Sequence, residues 1–118
     1  MDKKVLVVDD EELIRDYVRR ALASRGFSVE TAVDGASAAA AAGRENFDVV
    51  ICDLKMPDMR GEEVIRKLAA MNPKTKIIVI TGSVSNISPV IRGVQAAGYL
   101  IKPFGINEIR DLVEKVLA

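Results

Sequence analysis

The sequence predicts an α/β domain in which a five-stranded parallel sheet is covered by five helices, lying on both of its faces. Two observations point to this class. Short runs rich in Val and Ile alternate strictly with amphipathic stretches, and three of the runs are apolar throughout. Strands of that kind are buried on both sides, as the central strands of parallel sheets are. The alternation implies right-handed crossovers and a single domain over residues 1–118.

The strand predictions follow from composition and periodicity. Three runs are free of polar residues, whereas "SVETAV" mixes polar and apolar residues as an edge strand does. A short fifth run follows Gly98. The predicted strands are Val5–Val8, Ser28–Val33, Val49–Cys52, Ile77–Ile80 and Tyr99–Ile101.

Three helices are predicted from apolar residues spaced three and four apart. The first stripe covers residues 13–22 and its helix ends at Gly26. A second stripe follows Gly61, and another closes the chain from Ile109.

Two further helices rest on composition and on start signals. The alanine-rich segment "GASAAAAAGRE" is predicted to be helical, with Asp34 as its cap. The fourth helix of the chain is predicted to begin near Pro89, with Ser88 as N-cap, and to end near Ala97. Asp58, in the loop before Gly61, is expected to be a solvated loop charge.

Composition narrows the functional classes. The 17 basic and 17 acidic residues balance, so no excess of positive charge indicates direct binding of nucleic acid. No apolar run approaches the roughly 20 residues that a membrane helix needs. The single cysteine, Cys52, excludes an internal disulfide and fits a reducing, cytoplasmic location. The absence of histidine excludes His-based triads, most catalytic zinc sites and a phosphohistidine on this chain.

Polar residues follow four of the five predicted strands. In an open α/β sheet, ligands bind outside the carboxyl ends of the strands, where these residues would meet. Strand two offers no comparable group and has the composition of an edge strand, so it is placed outside strand one. The order 2-1-3-4-5, known from flavodoxin-like folds, meets this condition. The strand-end residues are Asp9 and Asp10, then Asp53, then Thr81 followed by Gly82, and finally Lys102.

Three carboxylates, a hydroxyl and an ammonium around one crevice indicate a particular chemistry. Carboxylates that share a pocket without imidazole or amine ligands suit a hard cation such as Mg²⁺. A lysine and a hydroxyl facing a metal-bound carboxylate are what phosphoryl transfer to that carboxylate needs. Asp9 and Asp10 could instead cap the first helix, but capping does not account for Asp53 and Lys102. Glu11 and Glu12 are assigned to the first turn of that helix, where negative charge favours the helix dipole.

Four motifs in order resemble the receiver domain of two-component response regulators. They are "VLVVDDEE", "DVVICDLKMPDMRG", "IIVITGS" and "GYLIKPF", and together they cover essentially the whole chain. The resemblance implies a phosphorylation-controlled signalling switch rather than an enzyme with turnover on a separate substrate. The expected partners are a sensor histidine kinase or phosphotransfer protein, and a downstream effector protein or output domain.

The resemblance also assigns the metal ligands and the phosphoacceptor. Asp53 would accept a phosphoryl group from a phosphohistidine on the partner. Asp10 and Asp53 would bind Mg²⁺ directly, together with the main-chain carbonyl of Lys55, whereas Asp9 would act mainly through a metal-bound water.

Further residues are assigned to phosphoryl binding and to the switch. Lys102 and Thr81 would contact the phosphoryl oxygens, and the Gly82 amide would move toward them. Thr81 and Tyr99 would act as switch residues that change the surface around helix four, strand five and helix five. The Lys102–Pro103 bond is expected to be cis, as receivers commonly have it.

Two other functions remain open on sequence grounds. The chain could be a phosphorylation-independent interaction module on the same fold, or a small aspartyl-phosphate hydrolase. Lys55 stands where such hydrolases usually carry a second aspartate. A nucleotide-binding protein is disfavoured because no glycine-rich phosphate loop follows the first strand. The segment from Thr81 to Lys102 departs from the family pattern, because "SVSNISP" precedes the predicted fourth helix and the segment is about one residue short.

Overall fold

The computed structural model describes residues 2–55, 58, 60–82 and 96–118. Five parallel strands form one sheet in the order 2-1-3-4-5, which confirms the predicted sheet and its topology. The strands are β1 (Lys4–Val8), β2 (Ser28–Ala32), β3 (Val49–Asp53), β4 (Lys76–Thr81) and β5 (Gly98–Ile101). The helices of the described ranges are α1 (Glu12–Ala23), α2 (Gly35–Arg44), α3 (Gly61–Met71) and α4 (Ile106–Leu117).

Four of the five predicted helices fall within the described ranges. The remaining one, expected from near Pro89 to near Ala97, falls almost entirely on residues 83–95, outside the described residues. No helix in the described part of the chain is long and apolar enough to cross a membrane.

The central strands are buried on both faces because their side chains alternate between two hydrophobic clusters. Val5 and Val7 of β1 face one side of the sheet, and Leu6 and Val8 face the other. Strands β3 and β4 alternate in the same way. One cluster includes buried residues of α1 and α4, and the other includes buried residues of α2 and α3. The unbroken apolar runs of the sequence are therefore explained, as predicted, by burial of the central strands on both faces of the sheet.

Helix α1 departs from its predicted stripe at its first turn. Val18, Ala21 and Leu22 are buried, as expected, but the side chain of Leu13 is 83% exposed. Leu13 is the second residue of α1, and the next residue, Ile14, is the one that packs partly buried against the hydrophobic cluster on the sheet. Leu13, which begins the predicted apolar stripe, therefore lies outside the core.

The N-terminus of α2 is capped from two sides. Asp34 is the N-cap and accepts from the Ser37 amide at 2.8 Å, which confirms its predicted role. Asp58 was expected to be a solvated loop charge, but its carboxylate accepts from the Gly35 amide at 2.9 Å and the Ala36 amide at 3.0 Å. A carboxylate at a helix N-terminus satisfies amides that the helix leaves unpaired. The loop after β3 is thereby tied to α2.

Gly61 begins α3 where the chain lies against the residue that follows β3. A Cβ atom on Gly61 would lie 2.4 Å from the Cα and 2.6 Å from the carbonyl oxygen of Leu54. The Gly61 amide donates to the same oxygen at 3.1 Å. Because the neighbouring atoms belong to the backbone, a larger residue forces the chain after Asp53 to move.

Replacing Gly61 with alanine is therefore expected to lower the free energy of unfolding by about 1–3 kcal/mol, the usual cost of overpacking. Urea unfolding measures this change. Gly43→Ala is the matched control, since a Cβ there meets only Met71 Cε, at 3.8 Å, and lies inside α2. The control should gain up to about 1 kcal/mol from helix propensity. A Gly61→Ala chain as stable as the wild type would contradict the close approach.

Candidate functional site

The parallel strands bring the predicted polar residues to one edge of the sheet. Asp53 and Thr81 are the last residues of β3 and β4, Asp9 directly follows β1, and Lys102 directly follows β5. Asp9, Asp53 and Thr81 are the buried polar residues of the described part of the chain. Polar groups are seldom buried without partners. Three buried polar residues at the same edge of the sheet therefore indicate a functional site.

Lys102 joins the acidic residues of this edge. Its Nζ lies 2.8 Å from Oδ2 of Asp53, 3.2 Å from Oε1 of Glu11 and 3.5 Å from Oδ2 of Asp9. Its backbone amide donates to the Thr81 carbonyl at 2.9 Å, which fixes the start of the side chain beside β4. One ammonium therefore offsets the repulsion among three carboxylates.

The surroundings of Lys102 stabilise its charged form. Burial acts to lower the pKa of Lys102, but the hydrogen bond to Asp53 and the negative charges of Asp53 and Asp9 outweigh it. The net effect raises the pKa of the Lys102 ammonium, so this group stays charged at neutral pH.

Asp9 is the carboxylate with the least compensation. It is fully buried, and its Oδ1 accepts from the Glu11 amide at 2.9 Å. Its Oδ2 has no hydrogen-bond partner among the described residues. Burial raises the pKa of Asp9 to about 6; the Glu11 hydrogen bond opposes this shift, and the negative charge of Asp53 adds to it. A charged Asp9 thus costs stability unless a cation is bound.

A cleft of about 510 Å³ opens over the site. Asp53 and Thr81 contribute to its floor, and the exposed Asp10 lines it. Asp9 does not line the cleft, which agrees with its complete burial. The full lining is Asp10, Glu11, Asp53, Leu54, Lys55, Glu62, Thr81, Gly82 and Lys102.

The acidic residues fit a metal ion. One carboxylate oxygen from each of Asp9, Asp10, Glu11 and Asp53 lies within 4.8 Å of the others. The buried Oδ2 of Asp9 supplies an acceptor that has no hydrogen-bond partner among the described residues. A donor set made only of oxygens suits a hard divalent cation.

The remaining predicted residues also lie at or near this edge. The Lys55 amide donates to Oδ1 of Asp53 at 3.0 Å, and Gly82 lines the cleft. Tyr99 lies on β5 with 37% of its surface exposed. The Lys102–Pro103 peptide bond is cis, as predicted.

Glu11 is the site residue that sequence reasoning missed. It was assigned to the first turn of the helix, but it is the N-cap of α1, and its carboxylate contacts Lys102. The two residues are 91 positions apart, so no local pattern could reveal the pair. Cys52 stays within expectation, since it is buried and burial raises the pKa of its thiol.

Comparison with protein families decides the identity of the chain. The model of the response regulator receiver domain matches residues 5–114. The chain belongs to the response regulator receiver domain family. This receiver is 42% identical over 107 residues to the probable transcriptional regulatory protein TcrX of Mycobacterium tuberculosis, covering 89% of the chain and 45% of TcrX. The chain spans about half the length of the curated relatives it matches.

Solved structures agree with this assignment. The receiver superposes on the chemotaxis response regulator CheY4 of Vibrio cholerae with a TM-score of 0.92 at 34% identity, covering 98% of this chain and 99% of that one. It superposes on the response regulator TrrA of Thermotoga maritima, solved in complex with Mg²⁺ and BeF, with a TM-score of 0.87 at 32% identity. That match covers 97% of this chain and 98% of TrrA. The chain is thus a receiver of two-component signalling.

Asp9→Asn is expected to raise the free energy of unfolding of the metal-free receiver near neutral pH by on the order of 1–3 kcal/mol. The folded carboxyl has a pKa of about 6, above its ordinary value of 3.8. The free-energy cost of burying the charged Asp9 carboxylate is therefore complete above about pH 6. It fades as the pH falls toward 3.8, where the carboxyl is protonated in both the folded and the unfolded state.

Urea unfolding with a chelator at several pH values measures this difference. Asp111→Asn, on the exposed face of α4, makes the same chemical change away from the site, and as a surface substitution it should change the free energy of unfolding by less than about 0.5 kcal/mol. Equal stability of the wild type and Asp9→Asn across this pH range would mean that burying the charged Asp9 carboxylate does not lower the free energy of unfolding.

Proposed function

We propose that Asp53 accepts a phosphoryl group from a phosphohistidine on a partner histidine kinase or phosphotransfer protein. The observation that carries this proposal is the position of the Asp53 carboxylate. It ends a central strand, lies 2.8 Å from the Lys102 ammonium and borders the open cleft. The carboxylate is thus held in place by the fold and can still be reached from outside.

Transfer to Asp53 requires little covalent chemistry from the rest of the site. An Asp53 oxygen attacks phosphorus, the O–P bond forms as the P–N bond of the donor breaks, and the electron pair stays on the imidazole nitrogen. Lys102 is close enough to bind a phosphoryl oxygen, and Thr81 and the Gly82 amide border the same cleft. These donors stabilise the charge that spreads over the phosphoryl oxygens during transfer.

We further propose that the resident cation is Mg²⁺. Asp10 and Asp53 line the cleft and are suited to direct binding, with the main-chain carbonyl of Lys55 as a third ligand. Asp9 lies beneath them, which favours an indirect role through a metal-bound water. Bound Mg²⁺ would neutralise charge on the phosphoryl oxygens.

Thr81 and Tyr99 are proposed as the switch. Their strands are neighbours, with Val79 paired to Tyr99 and Thr81 paired to Ile101. The Lys102 amide also bonds to the Thr81 carbonyl. A phosphoryl group that draws Thr81 or Lys102 toward Asp53 would therefore shift β5, and with it the half-exposed ring of Tyr99. On this hypothesis, a partner would detect phosphorylation at the surface formed by the helix predicted near residues 89–97, by β5 and by the C-terminal helix α4.

The wider context is also a proposal. Since the curated relatives are about twice as long and several are transcriptional regulators, an output domain in the same polypeptide or a separate effector would receive the signal. The balanced charge of this domain argues against direct binding of DNA by it. A cytoplasmic location, predicted from the single reduced cysteine, stays a prediction.

Two other functions are weaker. A phosphorylation-independent module would have no need to bury the carboxylates of Asp9 and Asp53 side by side, since their like charges cost stability. An aspartyl-phosphate hydrolase would need a second carboxylate where Lys55 stands. Turnover of unrelated phosphate esters would favour the hydrolase over a switch that acts only on its own Asp53.

Asp53→Asn is expected to abolish labelling by acetyl phosphate with Mg²⁺ while the fold stays intact, because the amide is a poor nucleophile. Intact-protein mass spectrometry detects the added phosphoryl group, and circular dichroism checks the fold. Asp111→Asn makes the same chemical change on exposed α4 and should be labelled like the wild type. Equal labelling of Asp53→Asn would remove Asp53 as the acceptor.

Loading the wild type with beryllofluoride and Mg²⁺ is expected to change amide hydrogen exchange in β5, including Tyr99, because Thr81 and Lys102 couple that strand to the site. Strand β2, at the opposite edge of the sheet, is the internal control and should exchange unchanged. Asp53→Asn should show no change in either strand. Unchanged exchange in β5 of a wild-type sample with the mimic bound would argue against the Tyr99 switch.

A further inference from the structure

Glu11 is placed unusually for a residue at the start of a helix. It is the N-cap of α1, with φ −92° and ψ 117°, yet its side chain makes no capping hydrogen bond. Its Oε1 instead lies 3.2 Å from the Lys102 Nζ. Its amide donates to Oδ1 of Asp9, which fixes the backbone from which the carboxylate extends.

The Lys102 ammonium is shared among acidic groups before any phosphoryl group is present. An ammonium has three donors, and Asp53, Glu11 and Asp9 stand around it at 2.8, 3.2 and 3.5 Å. Asp9 and Asp53 are buried, whereas the Glu11 side chain is 61% exposed. Glu11 is therefore the partner that can leave at the lowest cost in solvation.

We propose that Glu11 is a positioning residue that holds Lys102 in the unphosphorylated receiver and releases it when a phosphoryl group occupies Asp53. This rests on the proposed role of Asp53 as acceptor. The phosphoryl oxygens and the Glu11 carboxylate compete for the same ammonium, so the pair between Glu11 and Lys102 opposes phosphorylation. Glu11 thereby sets how readily the site is occupied.

The size of the effect follows from the exposure of the pair. Ion pairs with one well-exposed partner are weak, so removing the competitor should strengthen binding of a phosphoryl mimic by about two- to fivefold. The probes are beryllofluoride with Mg²⁺, for affinity, and acetyl phosphate, for the rate of labelling. Because the sequence has no tryptophan, NMR titration and mass spectrometry are suitable readouts.

Three variants separate the contact from its charge. Glu11→Gln removes the charge at nearly constant size. Glu11→Asp keeps the charge but shortens the side chain by one methylene, which withdraws it from Lys102. Glu12→Gln removes an equal charge from the next residue, the first of α1, which the structure does not pair with Lys102 in the described ranges.

Glu11→Gln and Glu11→Asp should both bind beryllofluoride more tightly and be labelled faster than the wild type, whereas Glu12→Gln should change much less. The ¹⁵Nζ signal of Lys102 should shift in both Glu11 variants, which a merely structural role would not produce. Equal gains in Glu11→Gln and Glu12→Gln, with Glu11→Asp unchanged, would reduce the effect to net charge and overturn the proposal.

Mg²⁺ titration of the same variants tests the alternative that Glu11 is a metal ligand. Asp10→Asn is the reference for a lost metal ligand. If Glu11→Gln weakened Mg²⁺ binding as much as Asp10→Asn, Glu11 would belong to the metal site and the proposal would fail.

The outcomes also separate this inference from the proposed function. Labelling of the wild type and its loss in Asp53→Asn, with no gain in the Glu11 variants, would overturn the role of Glu11 alone. Labelling that survives in Asp53→Asn would instead overturn the assignment of the acceptor.

Discussion

The contact between the Lys102 ammonium and the acidic edge of the sheet is the interaction on which the site depends. The carboxylates of Asp9 and Asp53 are buried close to each other and would repel each other strongly without a positive charge nearby. Lys102 supplies that charge from the end of β5, with its backbone fixed to Thr81. The compensation is incomplete, because Oδ2 of Asp9 keeps no hydrogen-bond partner among the described residues.

Incomplete compensation connects stability with function in this receiver. A site with more complete compensation would be more stable, but it would attract a cation less strongly. Burial raises the pKa of Asp9, the direction expected for a carboxylate whose charge is only partly compensated and therefore costs stability. The hydrophobic clusters on the two faces of the sheet offset that cost, since the fully buried segments Val5–Val8 and Val49–Cys52 lead directly into Asp9 and Asp53.

The loop after β3 shows how the same edge is anchored. Gly61 allows α3 to begin against the backbone of Leu54, and Asp58 reaches across to the N-terminus of α2. The Lys55 amide bonds to Asp53 within this segment. The Asp53 carboxylate is therefore oriented by the backbone that follows it as well as by Lys102, so the loop forms part of the site.

The sequence predicts the parallel strands and the polar residues at their carboxyl ends, and the strand order known from flavodoxin-like folds fits the edge composition of strand two. Unbroken apolar runs identified the buried strands, and the rule that ligands meet parallel strands at their carboxyl ends brought Asp9, Asp53, Thr81 and Lys102 together. The contacts of Glu11 and Asp58 and the exposure of Leu13 depend on the tertiary structure. Periodicity reports which face of an element is apolar, but the partner of an exposed charge is set by residues far along the chain, as for Glu11 and Lys102. Leu13 shows the same limit for apolar residues, because the stripe contains both Leu13 and Ile14, and only the packing of the helix leaves Leu13 exposed while Ile14 contacts the core.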